Sequence, residues 1–211
     1  MLRGVLTPFS LPGSVVVLEP LSAVHVAGLV DAANRDRATY QFTRVPTSAE
    51  DAADYVAIAL AERAAGCAMP FAVRRLADDR LVGSTRFLDM EVLTAAPGAP
   101  SQPTDLSPPT VVEIGATWYA ADAQRSGVNT ECKLLLLTHA FDEWRVERVS
   151  LKTDARNDRS RTAILRIGAR FEGVRRVHMP AADGGLRDTA YYSIVRGEWP
   201  AVRDGLAARL A

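Results

Sequence analysis

The stretch that most constrains this chain runs from Val111 to Trp144. Val111-Val112-Glu113-Ile114-Gly115-Ala116-Thr117-Trp118-Tyr119 is rich in β-branched and aromatic residues and predicts a buried strand. After Gln124-Arg125-Ser126-Gly127-Val128-Asn129-Thr130, the residues Leu134, Leu137, Phe141 and Trp144 recur at helical spacing and predict a helix over Glu131–Trp144. A strand, a tight turn around Gly127 and a helix bring several backbone N–H groups to point the same way. The first turn of a helix has unpaired donors and the positive end of the macrodipole, so it attracts a phosphate or carboxylate. From these residues alone, an anion cradle and a plain connector both remain open.

Two nucleotide loops are excluded by residue type. A phosphate loop of the Walker kind needs Lys and then Ser or Thr after its second glycine, whereas Gly127 is followed by Val-Asn-Thr. The dinucleotide fingerprint needs three glycines, and this turn has one.

The flanking sequence supplies the rest of a single α/β domain over 1–211. Val15–Leu18 predicts a first strand after a lead-in broken by Pro8, Pro12 and Gly13, and Leu21–Arg35 predicts a helix with Val24, Leu29 and Val30 on one side. Thr47-Ser48-Ala49-Glu50 reads as a capping box opening a helix through Tyr55, Ile58 and Leu60. A hairpin joins Phe71–Leu76 to Leu81–Leu88, and the Pro/Gly-rich segment 91–110 reads as a loop insertion. Arg148–Thr153 alternates as a strand. Asn157 or Asp158 caps a helix ending at Gly168, and a closing hairpin turns at Asp183-Gly184-Gly185 before a short terminal helix.

Charge narrows the partners. With 25 basic and 25 acidic residues the net charge is zero, so nothing electrostatic argues for nucleic acid or a membrane surface. No apolar run approaches the ~20 residues of a spanning helix, and residues 1–18 lack a clean cleavage site. Cys67 and Cys132 form no disulfide or metal pattern, and His25, His139 and His178 are scattered. A cytoplasmic protein with reduced thiols and no metal is expected. Cys132 reads as a small helix-packing residue, and Glu131 and Lys133 as groups on the surface of the helix.

Gln124-x-x-Gly127-x-Asn129 resembles the Q/R-x-x-G-x-G/A loop of the GNAT superfamily of acyl-CoA N-acyltransferases, with Asn129 in place of the last Gly or Ala. Ile114-Gly115-x-Thr117-Trp118-Tyr119, Asn129-Thr130-Glu131-x-Lys133, Asn157-x-x-Ser160 and Gly168-Ala169-x-x-Glu172-Gly173 are similar to the branch that includes the ribosomal-protein N-terminal acetyltransferases. The likeness is closest over 111–200. It implies a mixed, mostly antiparallel twisted sheet of about seven strands with helices on both faces, in the order β-α-α-β-β-β-α-β-α-β-β.

The resemblance also implies acetyl-CoA as cosubstrate and an amine acceptor, a protein N-terminus or a small amine, acetylated by direct transfer in a ternary complex. The pyrophosphate is expected on Arg125, Ser126, Gly127, Val128, Asn129 and Thr130 after Gln124. The pantetheine arm is expected along the main chain of Thr117, Trp118 and Tyr119, where this strand splays from the next; Trp118 faces the opposite way from its neighbours. Asn157 would bind pantetheine. Ser160 would protonate the departing thiolate, because Ile164 stands where many relatives carry a Tyr. Glu113 is the candidate base, with Asp188 and Glu172 behind it, and one of Tyr191 and Tyr192 would line the tunnel. Blander readings stand beside these: core packing for Trp118 and Tyr119, pairing for Glu113, helix capping for Asn157 and Ser160. A non-catalytic acyl-CoA sensor and a homodimeric interaction domain are the alternatives at the level of the whole chain.

Overall fold

The alternating and continuous apolar runs of the sequence fold into one eight-stranded sheet in the computed structural model, which describes residues 7–93 and 109–211. The strands are β1 (Leu11–Pro12), β2 (Val16–Pro20), β3 (Met69–Arg75), β4 (Arg80–Glu91), β5 (Val111–Tyr119), β6 (Arg148–Asp154), β7 (Arg170–Pro180) and β8 (Leu186–Val195). They lie in the order β1-β2-β3-β4-β5-β6-β8-β7. All neighbours are antiparallel except β5 and β6, which run parallel.

Among the described residues five helices cover the sheet: α1 (Val26–Asn34), α2 (Ala49–Ala64), α3 (Gly127–Thr138), α4 (Asp158–Arg166) and α5 (Trp199–Ala207). Side chains alternate across a strand, so the two faces build separate cores. Phe71, Val73, Phe87, Ile114 and Tyr119 pack with α3, α4 and α5 on one face, while Ala72, Leu81 and Trp118 pack with α1 and α2 on the other. This is the expected mixed, mostly antiparallel fold with helices on both faces, with one strand more than predicted. The extra strand, β1, lies in the lead-in read as irregular. Two residues leave no periodicity to detect.

Helix boundaries moved for local reasons. A 3-10 turn at Ala23–His25 precedes α1 and leaves Val24 exposed. In α2 the cap is Ser48, one residue later than expected; the buried face is Ala52, Val56 and Ala59, and Ile58 is exposed. Alanines lower the apolar signal of that face while letting the helix lie close. The expected 91–110 insertion falls largely outside the described residues, and its flanks are joined by a 2.9 Å hydrogen bond from the Thr110 amide to the Glu91 carbonyl.

The largest departure is at α3. It begins at Gly127, four residues earlier than predicted, because Ser126 caps it by accepting from the Val128 amide. It does not continue regularly to Trp144: His139–Glu143 widens into a π turn, with the Trp144 amide donating to the His139 carbonyl at 2.9 Å. The widening rotates the later residues, so Ala140 and Phe141 stay buried and Phe141 stacks on Trp199 of α5.

Glu131 and Lys133 are not on the helix surface, as the sequence suggested; both are buried. Glu131 accepts from the Ser14 amide and hydroxyl on one carboxylate oxygen and from the Val15 and Val16 amides on the other, all at 2.7–2.8 Å. It thereby fastens the start of β2 to α3. Gly13 lies so close that a Cβ there would stand 2.4 Å from the carboxylate.

Candidate active site

The defining feature is a fork between β5 and β6. They pair only at Val111↔Arg148, Val112↔Val149 and Glu113↔Ser150. Beyond that point β6 continues along β8 as far as Asp154↔Thr189, and β5 along β4 as far as Gly83↔Tyr119. Among the described residues the edges facing each other across the gap are therefore left without strand partners. Ala116 is exposed although it lies in mid-sheet, and it adopts φ +47° where the β4–β5 register slips between Ser84 and Arg86. Such a bulge leaves a residue out of the ladder and bends the strand.

The turn from β5 to α3 brings the start of α3 to the open end of the fork. The left-handed residue of this turn is Arg125 (φ +58°), not Gly127 or Asn129. Gly127 has ordinary backbone angles, and a Cβ on it would make only van der Waals contact with Leu210 and Val15 at 3.5 and 3.7 Å. Val128 and Thr130 are buried, whereas Arg125 and Ser126 are exposed. The first-turn amides have no helical partner; the Ser126 hydroxyl takes the Val128 amide at 3.3 Å and donates to the Ala123 carbonyl. Asn129 lies within the first turn, so it does not cap the helix.

Gln124 has a structural task. Its side-chain amide donates to the Tyr119 carbonyl at 2.9 Å and to the Thr39 hydroxyl at 3.1 Å, and its oxygen accepts from Arg159 at 3.0 Å. Arg159 of α4 also donates to the Thr39 carbonyl. Three separate segments thus meet beside the fork: the 3-10 turn Arg37–Tyr40, the β5–α3 turn and the start of α4. Sequence reasoning missed this clasp because its members are 85 and 35 residues from Gln124. Trp118 sends its side chain into the opposite core, with its indole N–H to the Tyr55 hydroxyl at 3.3 Å and its ring against Tyr40. Its carbonyl lies against Gly83 of β4, so its main chain belongs to the β4–β5 ladder and not to the gap, unlike the expected pantetheine contact.

Glu113 stands where the two strands part, and it is only 3% exposed. Its carboxylate meets Lys152 of β6 at 2.8 Å, and Lys152 reaches Asp89 of β4 at 3.2 Å. Burial raises the Glu113 carboxyl to about 7, against the lowering influence of Lys152. Gly115 makes room for it: a Cβ there would come within 2.4 Å of the Glu113 carboxylate. Lys152 and Asp89 carried no sequence signal, since they meet Glu113 only through strand register.

Asn157 is the N-cap of α4, its side-chain oxygen accepting from the Ser160 amide at 3.0 Å. Capping uses the oxygen and leaves the amide nitrogen of this buried side chain as a donor. Ser160 is half-buried in the first turn, and Ile164 packs in the core. The other expected candidates are engaged elsewhere. Asp188 accepts from the Val177 amide, Glu172 from the Ser193 hydroxyl, Tyr191 pairs with His178, and Tyr192 takes Arg161. Cys132 is fully buried, and burial raises its thiol to about 12, as suits a packing residue. Among the described residues no three His, Cys, Asp or Glu side chains assemble as a metal site, and no helix is long and apolar enough to cross a membrane.

Comparison with known proteins agrees with this geometry. A family model described as an acetyltransferase (GNAT) domain matches residues 16–170. A Bacillus subtilis (strain 168) protein assigned as a ribosomal N-acetyltransferase, YdaF, is 34% identical over 87 residues, covering 41% of this chain and 46% of that relative. The match therefore spans less than half of the curated relative. The structure of a GCN5-related N-acetyltransferase from Brucella melitensis is similar at a TM-score of 0.81 and 28% identity, over 99% of this chain and 88% of that one. Mycobacterium smegmatis RimJ in complex with CoA-disulfide shares the fold at a TM-score of 0.72 and 21% identity, over 96% of this chain and 93% of that one.

Proposed function

This chain belongs to the GNAT acetyltransferase family, and on that footing we propose that it transfers the acetyl group of acetyl-CoA directly to a primary amine within a ternary complex. The fork carries the proposal: two long strands part after three paired positions, and a helix N-terminus stands at the open end. Free strand edges suit the amide-rich pantetheine arm, which can pair with main chain in the manner of an added strand. The Thr117 backbone and the Tyr119 amide offer that edge, while the Tyr119 carbonyl is already taken by Gln124 and the Trp118 carbonyl faces Gly83 of β4. Amides from Arg125 to Thr130 would hold the diphosphate, assisted by the exposed Arg125 guanidinium. The Asn157 amide nitrogen would take a carbonyl of the arm.

Acetyl-CoA supplies an activated thioester carbonyl; the side chains handle protons. The acceptor must be neutral to attack, and an α-amine with a pKa near ~8 is about 10% neutral at pH 7, a lysine amine below ~0.1%. Glu113 at about 7 suits an α-amine, taking its proton through a water as the C–N bond forms. The C–S bond then breaks, and the half-buried Ser160 hydroxyl relays a proton to sulfur while taking one from water. The favoured acceptor is the α-amine of a protein N-terminus, in keeping with the ribosomal assignment of the similar B. subtilis protein.

Calorimetry with acetyl-CoA, followed by thiol release across a panel of N-terminal peptides and small amines, tests the reading. Absence of binding, or binding without release on any amine, refutes it. Burial of Ile164 at the position where relatives carry a Tyr favours one rival, a non-catalytic acyl-CoA sensor. Ser160→Ala decides between them: unchanged binding with turnover lowered at least about tenfold supports the enzyme.

A further inference from the structure

Lys133 projects from the second turn of α3 into the space under β5 and is 6% exposed. An ammonium has three N–H donors. Among the described residues the one acceptor Lys133 meets is the Thr117 hydroxyl at 3.1 Å, itself shared with the Thr85 hydroxyl at 2.7 Å and the Gly115 carbonyl at 3.3 Å. Among the described residues no carboxylate lies within ion-pair distance of it. A buried charge with a single neutral partner is costly, and a leucine would satisfy the surrounding stripe better. Thr117 belongs to the part of β5 that β6 has already left. The Lys133 amine is therefore one hydrogen bond from the free strand edge.

We infer that Lys133 is a recognition residue for the acyl-pantetheine arm, its two spare N–H groups taking carbonyl oxygens of an arm lying along Thr117. This rests on the acetyl-CoA reading above and adds to it a side-chain contact for the arm. Burial lowers the Lys133 amine to about 8; the titratable groups bearing on it are Cys132 on α3 and Glu113 on β5, and the Thr85 and Thr117 hydroxyls that touch it are neutral. Ligand carbonyls favour the charged form and raise that value. Near pH 8, binding therefore draws in protons, and affinity falls as pH rises above 8.

The test compares acetyl-CoA with 3′-phospho-ADP, the nucleotide end of CoA without its arm, on the full chain and on Lys133→Met. Removing a charged hydrogen-bonding group should weaken acetyl-CoA roughly ten- to a hundredfold and leave the nucleotide within about twofold. Calorimetry at pH 8 in buffers of different ionisation enthalpy should show proton uptake with acetyl-CoA in the parent that is lost in the variant. Lys133→Gln, which keeps a donor, should recover part of the affinity, and the same criteria apply to it if the Met variant does not fold. Equal losses for both ligands, or none for acetyl-CoA, overturn the inference. A parent that binds neither ligand overturns the acetyl-CoA reading, and the role of Lys133 falls with it.

Discussion

Glu131→Gln is the most exacting test of how the cradle is held in place. The carboxylate receives four donors, two on each oxygen. An amide keeps one oxygen and turns an NH2 towards the other pair. The better orientation puts nitrogen towards Ser14, whose hydroxyl can rotate to accept, so the Ser14 amide is the group left stranded. Bonds to a charged acceptor are worth about 1.5–3 kcal/mol each, and the two that survive become neutral. The net loss is about 3–5 kcal/mol, a large part of the roughly 5–15 kcal/mol that holds a domain folded. At roughly 2–4 °C per kcal/mol for a domain of this size, Tm should fall by about 6–20 °C.

Acid sharpens this test. Burial pushes the Glu131 carboxyl up, but the hydrogen bonds from Ser14, Val16 and Val15 outweigh it and hold it below 4.5. A lowered carboxyl stabilises the fold above its unfolded value, and that contribution is lost as pH falls through the folded one. Calorimetric melts should therefore show a gap between parent and Gln variant that is full at pH 7 and closes below about 4.5. A drop under about 2 °C at neutral pH, or a gap that persists unchanged in acid, would refute the reasoning.

Two further outcomes concern Glu113. Its raised value adds to kcat/KM a rise through about 7, because the base must be ionised, below the acceptor amine's own rise near ~8; Glu113→Gln should lower kcat/KM by at least about 10²-fold and leave only the acceptor's rise. Gly115→Ala places a methyl 2.4 Å from the same carboxylate, so it should displace Glu113 and reduce activity, with a stability loss of about 1–3 kcal/mol measurable by urea unfolding.

The architecture was legible where periodicity is long and local. The β5 strand, the two hairpins and the Asn157 cap could all be read from residue type and spacing. The fork was reachable only through resemblance, since nothing in Val111–Tyr119 announces that its neighbour departs after Glu113. The polar residues of α3 were misread for a physical reason. Glu131 and Lys133 look like solvent groups until their partners are known, and the Glu131 contacts lie 115–117 residues away. The π turn was invisible because a 3.6-residue template extends smoothly through His139, and the Ala116 bulge because alanine gives no hint of a positive φ.

The single parallel pairing in this sheet has a consequence for what the chain tolerates. Parallel neighbours cannot be joined by a hairpin, so the polypeptide must leave the plane after Tyr119 and re-enter at Arg148 by way of a helix. One excursion thus sets two things together, which strand end the amide-bearing helix tip sits beside and how the returning strand aligns. Residues added between Ala120 and Ser126 would shift both at once, whereas residues added at the Asp183–Gly185 hairpin tip would shift neither. Length variation among proteins built this way should accordingly gather at the outer hairpin and spare the excursion.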